Sequence, residues 1–120
     1  MKVLIVDDSR GMRMIVLRTL RQAGFTSHEF VEASNGKEAL EKLREGGFGL
    51  VLSDWNMPEM TGIELLNQLR ADGNSVAFGF ITSESSEKMR DLATSAGARF
   101  LITKPFTPAS FEAALSSILG

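Results

Sequence analysis

The sequence predicts an α/β fold: a doubly wound, five-stranded parallel sheet with five helices, of the flavodoxin-like type. Short, continuous apolar runs recur along the chain, and each one stops at a polar residue. Runs of this kind are typical of strands that are buried on both faces of a parallel sheet. Between these runs, apolar residues recur with the period of a helix. This alternation favours an open parallel sheet with helices on both faces and right-handed crossovers.

Four of the five predicted strands are clear apolar runs. They lie at residues 3–6, 50–52, 76–81 and 100–102, and a weaker strand is predicted near residues 30–33. The clear runs end just before a distinctive set of polar residues, namely Asp7 and Asp8, Ser53 and Asp54, Thr82, and Thr103 and Lys104.

The predicted helices have an apolar face and recognisable ends. One face of the first helix carries Met12, Ile15, Val16, Leu20 and Ala23; the fourth has Met89, Leu92, Ala93 and Ala96, and the fifth has Phe111, Ala114, Leu115 and Ile118. Capping boxes are predicted at Thr61 with Glu64 and at Asn35 with Glu38, and Thr107-Pro108 is typical of an N-cap followed by proline. Glycines that suit left-handed helix ends follow, at positions 24, 46 or 47, 73 and 97.

Length and composition narrow the function classes. A chain of 120 residues is one ordinary domain, and we expect a single domain over residues 1–120 with no effector domain. A formal net charge of −2 disfavours nucleic-acid binding, and cysteine is absent. The single His28 excludes a cluster of histidine ligands. No apolar run approaches the roughly 20 residues of a membrane span, so we expect no membrane partner and a cytoplasmic protein.

The residues after the strands predict a metal site. Ligands of open α/β sheets bind beyond the carboxyl ends of the strands, where Asp7, Asp8 and Asp54 are expected to converge. Carboxylates placed together raise one another's pKa unless a cation lies among them. Oxygen ligands without histidine or cysteine indicate a hard cation, above all Mg²⁺, and Mn²⁺ would also fit. The backbone carbonyl of Asn56 is a candidate further ligand.

The same residues suit phosphoryl transfer. Such a reaction needs a nucleophile, a metal ion and donors for the phosphoryl oxygens. Asp54 is the candidate nucleophile, which would form an aspartyl phosphate. Lys104 and the Thr82 hydroxyl are the candidate phosphoryl-sensing groups: the lysine would pair with one phosphoryl oxygen, and the hydroxyl would donate a hydrogen bond to another. Each residue taken singly also fits a plainer interpretation, such as a helix cap, a turn former, a strand end or a surface lysine. We expect Trp55 to be partly exposed and to report metal binding.

The motifs along nearly the whole chain resemble those of response-regulator receiver domains. They are Val-Asp7-Asp8-Ser9, Ser53-Asp54-Trp-Asn56-Met-Pro58 with Gly62, Ile81-Thr82-Ser83, and Thr103-Lys104-Pro105-Phe106, and the first two are most similar to chemotaxis regulators. The resemblance implies strand order 2-1-3-4-5 and phosphoryl transfer from a histidine kinase to Asp54, with Mg²⁺ held by Asp7, Asp8 and Asp54. It also implies a cis bond before Pro105 and the tuning of dephosphorylation by Asn56 and Glu84.

The sequence departs from the family pattern at three places. The position of the family's switch aromatic is Leu101 here, and Phe100 lies one residue earlier. Residues 85–87 are Ser-Ser-Glu, where chemotaxis regulators carry lysines on the partner-binding face. The loop at residues 72–75 is slightly short.

The interpretation from the sequence is a signalling switch and not an enzyme with an external substrate. Phosphorylation is expected to shift the 82–87 loop and the face formed by the fourth helix, fifth strand and fifth helix. The expected partners are a histidine kinase and an output protein, for which the flagellar motor switch is one candidate, and the domain is expected to be a monomer. Two alternatives stay open: a phosphate sink with no output partner, and a Mg²⁺-dependent phosphatase that works through an aspartyl phosphate.

Overall fold

Strands and helices alternate along the whole chain. The computed structural model describes residues 1–120. Its strands are β1 (Lys2–Val6), β2 (Glu29–Ala33), β3 (Phe48–Ser53), β4 (Ala77–Thr82) and β5 (Phe100–Thr103). Its helices are α1 (Arg10–Gln22), α2 (Gly36–Arg44), α3 (Gly62–Ala71), α4 (Glu87–Ser95) and α5 (Pro108–Leu119). The predicted succession of five strands and five helices is confirmed.

The five strands form one parallel sheet in the order β2-β1-β3-β4-β5. The chain therefore steps from β1 outward to β2, and then crosses back to β3 on the other side of β1. The point between β1 and β3 is the topological switch point at which ligands of such sheets bind. The predicted strand order is confirmed.

Each face of the sheet is covered by its own hydrophobic core. Side chains alternate along a strand, so Leu4 and Val6 enter one core whereas Val3 and Ile5 enter the other. The first core contains residues of α2, α3 and α4, and the second contains residues of α1 and α5. Because both faces are buried, only the strand ends are free to carry polar chemistry.

The helix ends follow the sequence signals with one difference. The capping box of Thr61 and Glu64 is present, and Thr107 caps α5 ahead of Pro108. Asn35 accepts a hydrogen bond from the Glu38 N–H at 2.8 Å, but the Glu38 carboxylate accepts from the backbone and hydroxyl of Ser34 instead of from the Asn35 N–H. The predicted box at Asn35 is therefore only half formed. The glycines expected at helix ends have positive φ at positions 24, 46, 47, 73 and 97.

The prediction that Ile15 and Leu92 lie on the buried faces of their helices is wrong. Ile15 of α1 is 46% exposed and Leu92 of α4 is 45% exposed. In α1 the buried residues are Val16, Thr19 and Leu20, so the buried face of the helix includes Thr19 and leaves Ile15 outside it. Thr19 can be buried because its hydroxyl donates to the Ile15 carbonyl at 2.8 Å.

Candidate functional site

The loop after β1 places two carboxylates at the sheet rim. The Asp7 backbone N–H donates to the Ala33 carbonyl at 3.2 Å, which continues the pairing of β1 with β2. Its carboxylate accepts from the Ser9 N–H at 2.9 Å, and the Ser9 hydroxyl in turn caps α1. Asp7 is buried and Asp8 is exposed. One carboxylate is thus held inside the rim, and its neighbour faces outward.

Asp54 extends the end of β3 toward the same rim. Its backbone N–H donates to the Val6 carbonyl at 2.9 Å, and its Oδ1 accepts from the Trp55 N–H at 2.9 Å. Trp55 is only 8% exposed, with its ring centroid 4.7 Å from that of Phe80. The expectation of a partly exposed Trp55 is therefore wrong, because the chain turns inward after Asp54 and fills the core with the indole.

The beginning of α3 lies directly against Asp54. The Gly62 N–H donates to the Trp55 carbonyl at 2.8 Å, and a Cβ at position 62 would overlap the Asp54 carbonyl oxygen. In the sequence, Gly62 stands out only as part of a motif. Its position at the first turn of α3, directly after the cap residue Thr61, is the feature that could have indicated a close backbone contact there.

Lys104 brings a cation to the carboxylates. Its Nζ lies 3.6 Å from Asp7 Oδ2 and 3.5 Å from Asp54 Oδ1. The Lys104 backbone N–H donates to the Thr82 carbonyl at 2.7 Å, and the following Lys104–Pro105 bond is cis. The Lys104 side chain therefore reaches from the end of β5, past β4, to the carboxylates at the ends of β1 and β3.

Thr82 is completely buried, and its hydroxyl oxygen accepts from the Glu84 N–H at 3.3 Å. This bond fixes the first turn of the 82–87 loop and leaves the hydroxyl proton of Thr82 free to donate. Glu84 itself is exposed, as is Asn56.

One carboxylate oxygen from each of Asp7, Asp8 and Asp54 lies within 4.8 Å of the other two. Burial is the main cause that raises the pKa of both Asp7 and Asp54, and the Asp7 charge raises the pKa of Asp54 further. Lys104 opposes both shifts without cancelling them. A cluster of hard oxygen donors that still carries excess negative charge is chemically suited to Mg²⁺. The Asn56 carbonyl accepts no backbone hydrogen bond, so it could add a further oxygen ligand.

The structure separates Leu101 from Phe100. Leu101 pairs with Phe80 and packs against the same core, on the face of the sheet to which Thr82 also belongs by alternation. Phe100 packs on the opposite face, where its ring covers Gly79. The structure therefore brings Leu101, and not Phe100, to the face of the sheet that carries Thr82.

The arrangement as a whole can hold a divalent cation and an anion side by side. Lys104 contacts the carboxylates of Asp7 and Asp54, and the Asp8 carboxylate lies in the same cluster. One oxygen of Asp54, Oδ1, accepts from Trp55 and contacts Lys104, whereas neither of these contacts involves Oδ2.

Comparisons with known proteins agree with this geometry. A family profile described as "Response regulator receiver domain" matches residues 3–116. The chain is 42% identical over 120 residues to chemotaxis protein CheY-3 of Vibrio cholerae, covering 98% of this chain and 91% of that protein. It is 41% identical over 123 residues to chemotaxis protein CheY1 of Helicobacter pylori, covering 100% and 98%.

A solved structure of chemotaxis protein CheY4 of Vibrio cholerae superimposes with a TM-score of 0.85 at 34% identity, covering 98% of this chain and 97% of that chain. None of the helices has both the length and the apolar character required to span a bilayer.

Proposed function

This chain belongs to the response-regulator receiver family of two-component signalling, and from that premise we propose that it is a switch operated by phosphorylation of Asp54. The phosphoryl donor in this proposal is the phosphohistidine of a histidine kinase. The observation that carries the proposal is the convergence of three carboxylates with Lys104 at the switch point of the sheet.

Asp54 Oδ2 is the nucleophile in this proposal. Oδ1 is occupied by the Trp55 N–H and by Lys104, which leaves Oδ2 to attack. An electron pair of Oδ2 forms the new bond to phosphorus while the bond from phosphorus to the donor's imidazole nitrogen breaks. That nitrogen keeps the electrons of the broken bond, and the imidazole, protonated on its other ring nitrogen, leaves as a neutral ring. Lys104 then pairs with a phosphoryl oxygen, and the Thr82 hydroxyl donates to another.

Asp7 and Asp8 would hold Mg²⁺ together with Asp54 and the Asn56 carbonyl, and Mn²⁺ would suit the same oxygens. The bound ion would supply positive charge that lets an anionic donor approach an acidic rim. Asn56 and Glu84 lie exposed on the two loops that border the rim. In this proposal they govern how water reaches the phosphoryl group during hydrolysis.

Phosphorylation would then act on the 82–87 loop. About 5.5 kcal/mol moves a two-state equilibrium from 1:99 to 99:1. Two or three hydrogen bonds to a charged group, at roughly 1.5–3 kcal/mol each, are of that size. The Thr82 hydroxyl oxygen already accepts a hydrogen bond from the Glu84 N–H, so a new bond at Thr82 bears directly on this loop.

The output surface in this proposal is the face formed by α4, β5 and α5. A groove of about 470 Å³ lies there, lined by Arg90 of α4, residues 100–103 of β5, and residues 110, 113 and 114 of α5. Leu101 lines this groove and also packs against the core beneath Thr82, so it connects the site to the surface. Similarity to chemotaxis proteins supports a partner from chemotaxis. Residues 85–87 are Ser-Ser-Glu and carry no lysine, so they favour a partner whose binding surface is less acidic than one that binds a lysine-rich face.

Intact mass after incubation with Mg²⁺ and acetyl phosphate tests the proposal. We expect the wild type to gain one phosphoryl group, which a chelator prevents and hydroxylamine removes, because hydroxylamine cleaves acyl phosphates. Asp54→Ala should gain nothing, whereas Asp91→Asn on the exposed surface of α4 should behave as wild type. A folded wild type that gains no mass would refute the switch, and steady turnover of small phosphate esters would favour the phosphatase instead.

A further inference from the structure

Arg13 of α1 connects the loop that follows β1 to the edge strand β2. Its Nη1 donates to the backbone carbonyl of Asp7 at 2.6 Å, and its Nε donates to the Glu32 carboxylate at 2.9 Å. The Arg13 side chain is only 13% exposed, whereas that of Glu32 is 43% exposed. The planar guanidinium can make both contacts at once because its donors point in fixed directions.

The carbonyl that Arg13 holds belongs to the peptide bond between Asp7 and Asp8. A peptide unit is planar, so fixing its oxygen also fixes the direction of the Asp8 N–H and of the Cα atoms on either side. Asp7 is held in addition by Ser9 and by β2, but Asp8 is exposed. The contact from Arg13 fixes the peptide on the N-terminal side of Asp8, and the bond from the Ser9 N–H to the Asp7 carboxylate closes the turn around it, so both help to set how the Asp8 carboxylate is presented beside that of Asp7.

The charge of Arg13 has to be considered together with this geometry. A cation next to a site for a divalent ion opposes binding of that ion. Glu32 offsets the charge of Arg13 at a distance of 2.9 Å. The pair therefore provides a rigid donor at the site with little net positive charge.

We propose that Arg13 is a positioning residue that orients the Asp7–Asp8 peptide for metal binding, and that Glu32 keeps its charge compensated. This inference rests on the metal site of the proposed function. Partners that orient metal ligands typically change metal affinity by about 10- to 100-fold when they are removed. An ordinary ion pair that only fastens α1 to β2 would instead change stability alone.

Four variants separate these two explanations. Arg13→Lys keeps the charge, but one ammonium cannot bridge the carbonyl and the carboxylate, and Glu32→Gln keeps the carbonyl contact but leaves the charge uncompensated. Arg44→Lys and Asp72→Asn make the same chemical changes in the ion pair between α2 and the end of α3, which has a 3.4 Å contact. Each protein is titrated with Mg²⁺ by calorimetry and by Trp55 fluorescence, and its urea unfolding is measured.

We expect Arg13→Lys to bind Mg²⁺ about 10-fold more weakly at both low and high salt, because a geometric effect is not screened. Glu32→Gln should bind about 3-fold more weakly at low salt and close to wild type at high salt, and the Arg44 and Asp72 variants should match wild type. If Arg13→Lys unfolds more easily yet binds Mg²⁺ as tightly as wild type, the positioning function is refuted. If the wild type itself binds no Mg²⁺, the metal site fails and this inference fails with it.

Discussion

Gly62 lies against the Asp54 peptide so closely that the first turn of α3 has no room for a side chain there. A Cβ would overlap the Asp54 carbonyl oxygen and contact the ring of Phe80. Since the obstacle is backbone, it cannot move aside without moving the candidate nucleophile. The proposed phosphorylation site and the start of α3 are therefore built as one unit.

Gly62→Ala should lower the free energy of unfolding by about 1–3 kcal/mol, the usual cost of overpacking, and slow phosphorylation by acetyl phosphate. Gly11→Ala is the control. Gly11 lies inside α1, where the nearest atom to a new Cβ is 3.8 Å away, so alanine there should stabilise by about 0.5–1 kcal/mol. Urea unfolding and intact mass measure the two effects. A Gly62→Ala protein as stable and as reactive as wild type would show that α3 can shift independently of Asp54.

The acidic cluster predicts an unusual pH dependence of stability. Burial raises the pKa of Asp7 and Asp54 above the ordinary value of 3.8. Between that value and the raised pKa values, the folded protein binds more protons at these groups than the unfolded chain does. The contribution of the pair to the free energy of unfolding therefore falls as pH rises through this window. Bound Mg²⁺ reverses that trend because it needs the ionised carboxylates.

The double variant Asp7→Asn, Asp54→Asn isolates this contribution from the rest of the chain. In a chelator it should be more stable than wild type, with an advantage that grows as the pH rises from the ordinary carboxyl pKa of 3.8 through the raised pKa values of Asp7 and Asp54. At 100 times the Kd, Mg²⁺ should raise the free energy of unfolding of the wild type by about 2.7 kcal/mol above that of its own metal-free state. In excess Mg²⁺ at neutral pH, the wild type should therefore be more stable than the double variant. A metal-free wild type that gains stability relative to the variant as pH rises would contradict the assigned burial cost.

Lys104 contacts two of the three carboxylates that are proposed to bind Mg²⁺, so its charge should compete with that of the ion. Its Nζ lies 3.6 Å from Asp7 and 3.5 Å from Asp54. Lys104→Met should therefore bind Mg²⁺ about 10-fold more tightly, which corresponds to roughly 1.4 kcal/mol of relieved repulsion. Lys88→Met on the surface of α4 is the matched control and should leave the affinity unchanged. Weaker Mg²⁺ binding by Lys104→Met would mean that the lysine organises the carboxylates instead of competing for them.

Because the Thr82 hydroxyl holds the 82–87 loop, removing it should block the structural effect of phosphorylation without blocking phosphorylation itself. Thr82→Val should still be phosphorylated, but it leaves the Glu84 N–H without its acceptor and should lose about 1 kcal/mol of stability. In amide exchange across residues 82–104, phosphorylation should change the protection of wild type and of Thr82→Ser, but not of Thr82→Val. A wild type that is phosphorylated with no change in protection would support the phosphate-sink alternative over an output switch.

The sequence is sufficient to predict which residues meet at the rim of the sheet, because a polar residue follows each apolar run at the end of its strand. Apolar runs stop at Asp7, Asp54, Thr82 and Lys104, and parallel strands bring their ends to one edge. The exposed Ile15 was not predictable in the same way, because helical periodicity leaves a residue at the border of a stripe undecided. The contact of Arg13 with Glu32 joins two elements that are distant in sequence, so no local spacing signals it.

Trp55 and Glu38 show a second limit of the sequence pattern. The direction of a turn decides whether the residue after Asp54 faces solvent or core, and the residue types do not encode that direction clearly. Glu38 has several partners within reach, and its carboxylate binds Ser34 and Lys42 instead of completing a box with Asn35. Competing local hydrogen bonds of similar energy are resolved only by the surrounding packing.

The strand order has a consequence for synthesis of the protein on the ribosome. Asp7, Asp8 and Asp54 all belong to the half of the sheet that is made first, whereas Lys104 follows the edge strand β5. At about 5–20 residues per second, the nascent chain exposes its acidic residues for several seconds before their compensating lysine exists. During that interval a divalent cation from the surroundings could take the place of Lys104, so the divalent cation concentration should influence how early the growing chain becomes resistant to proteases.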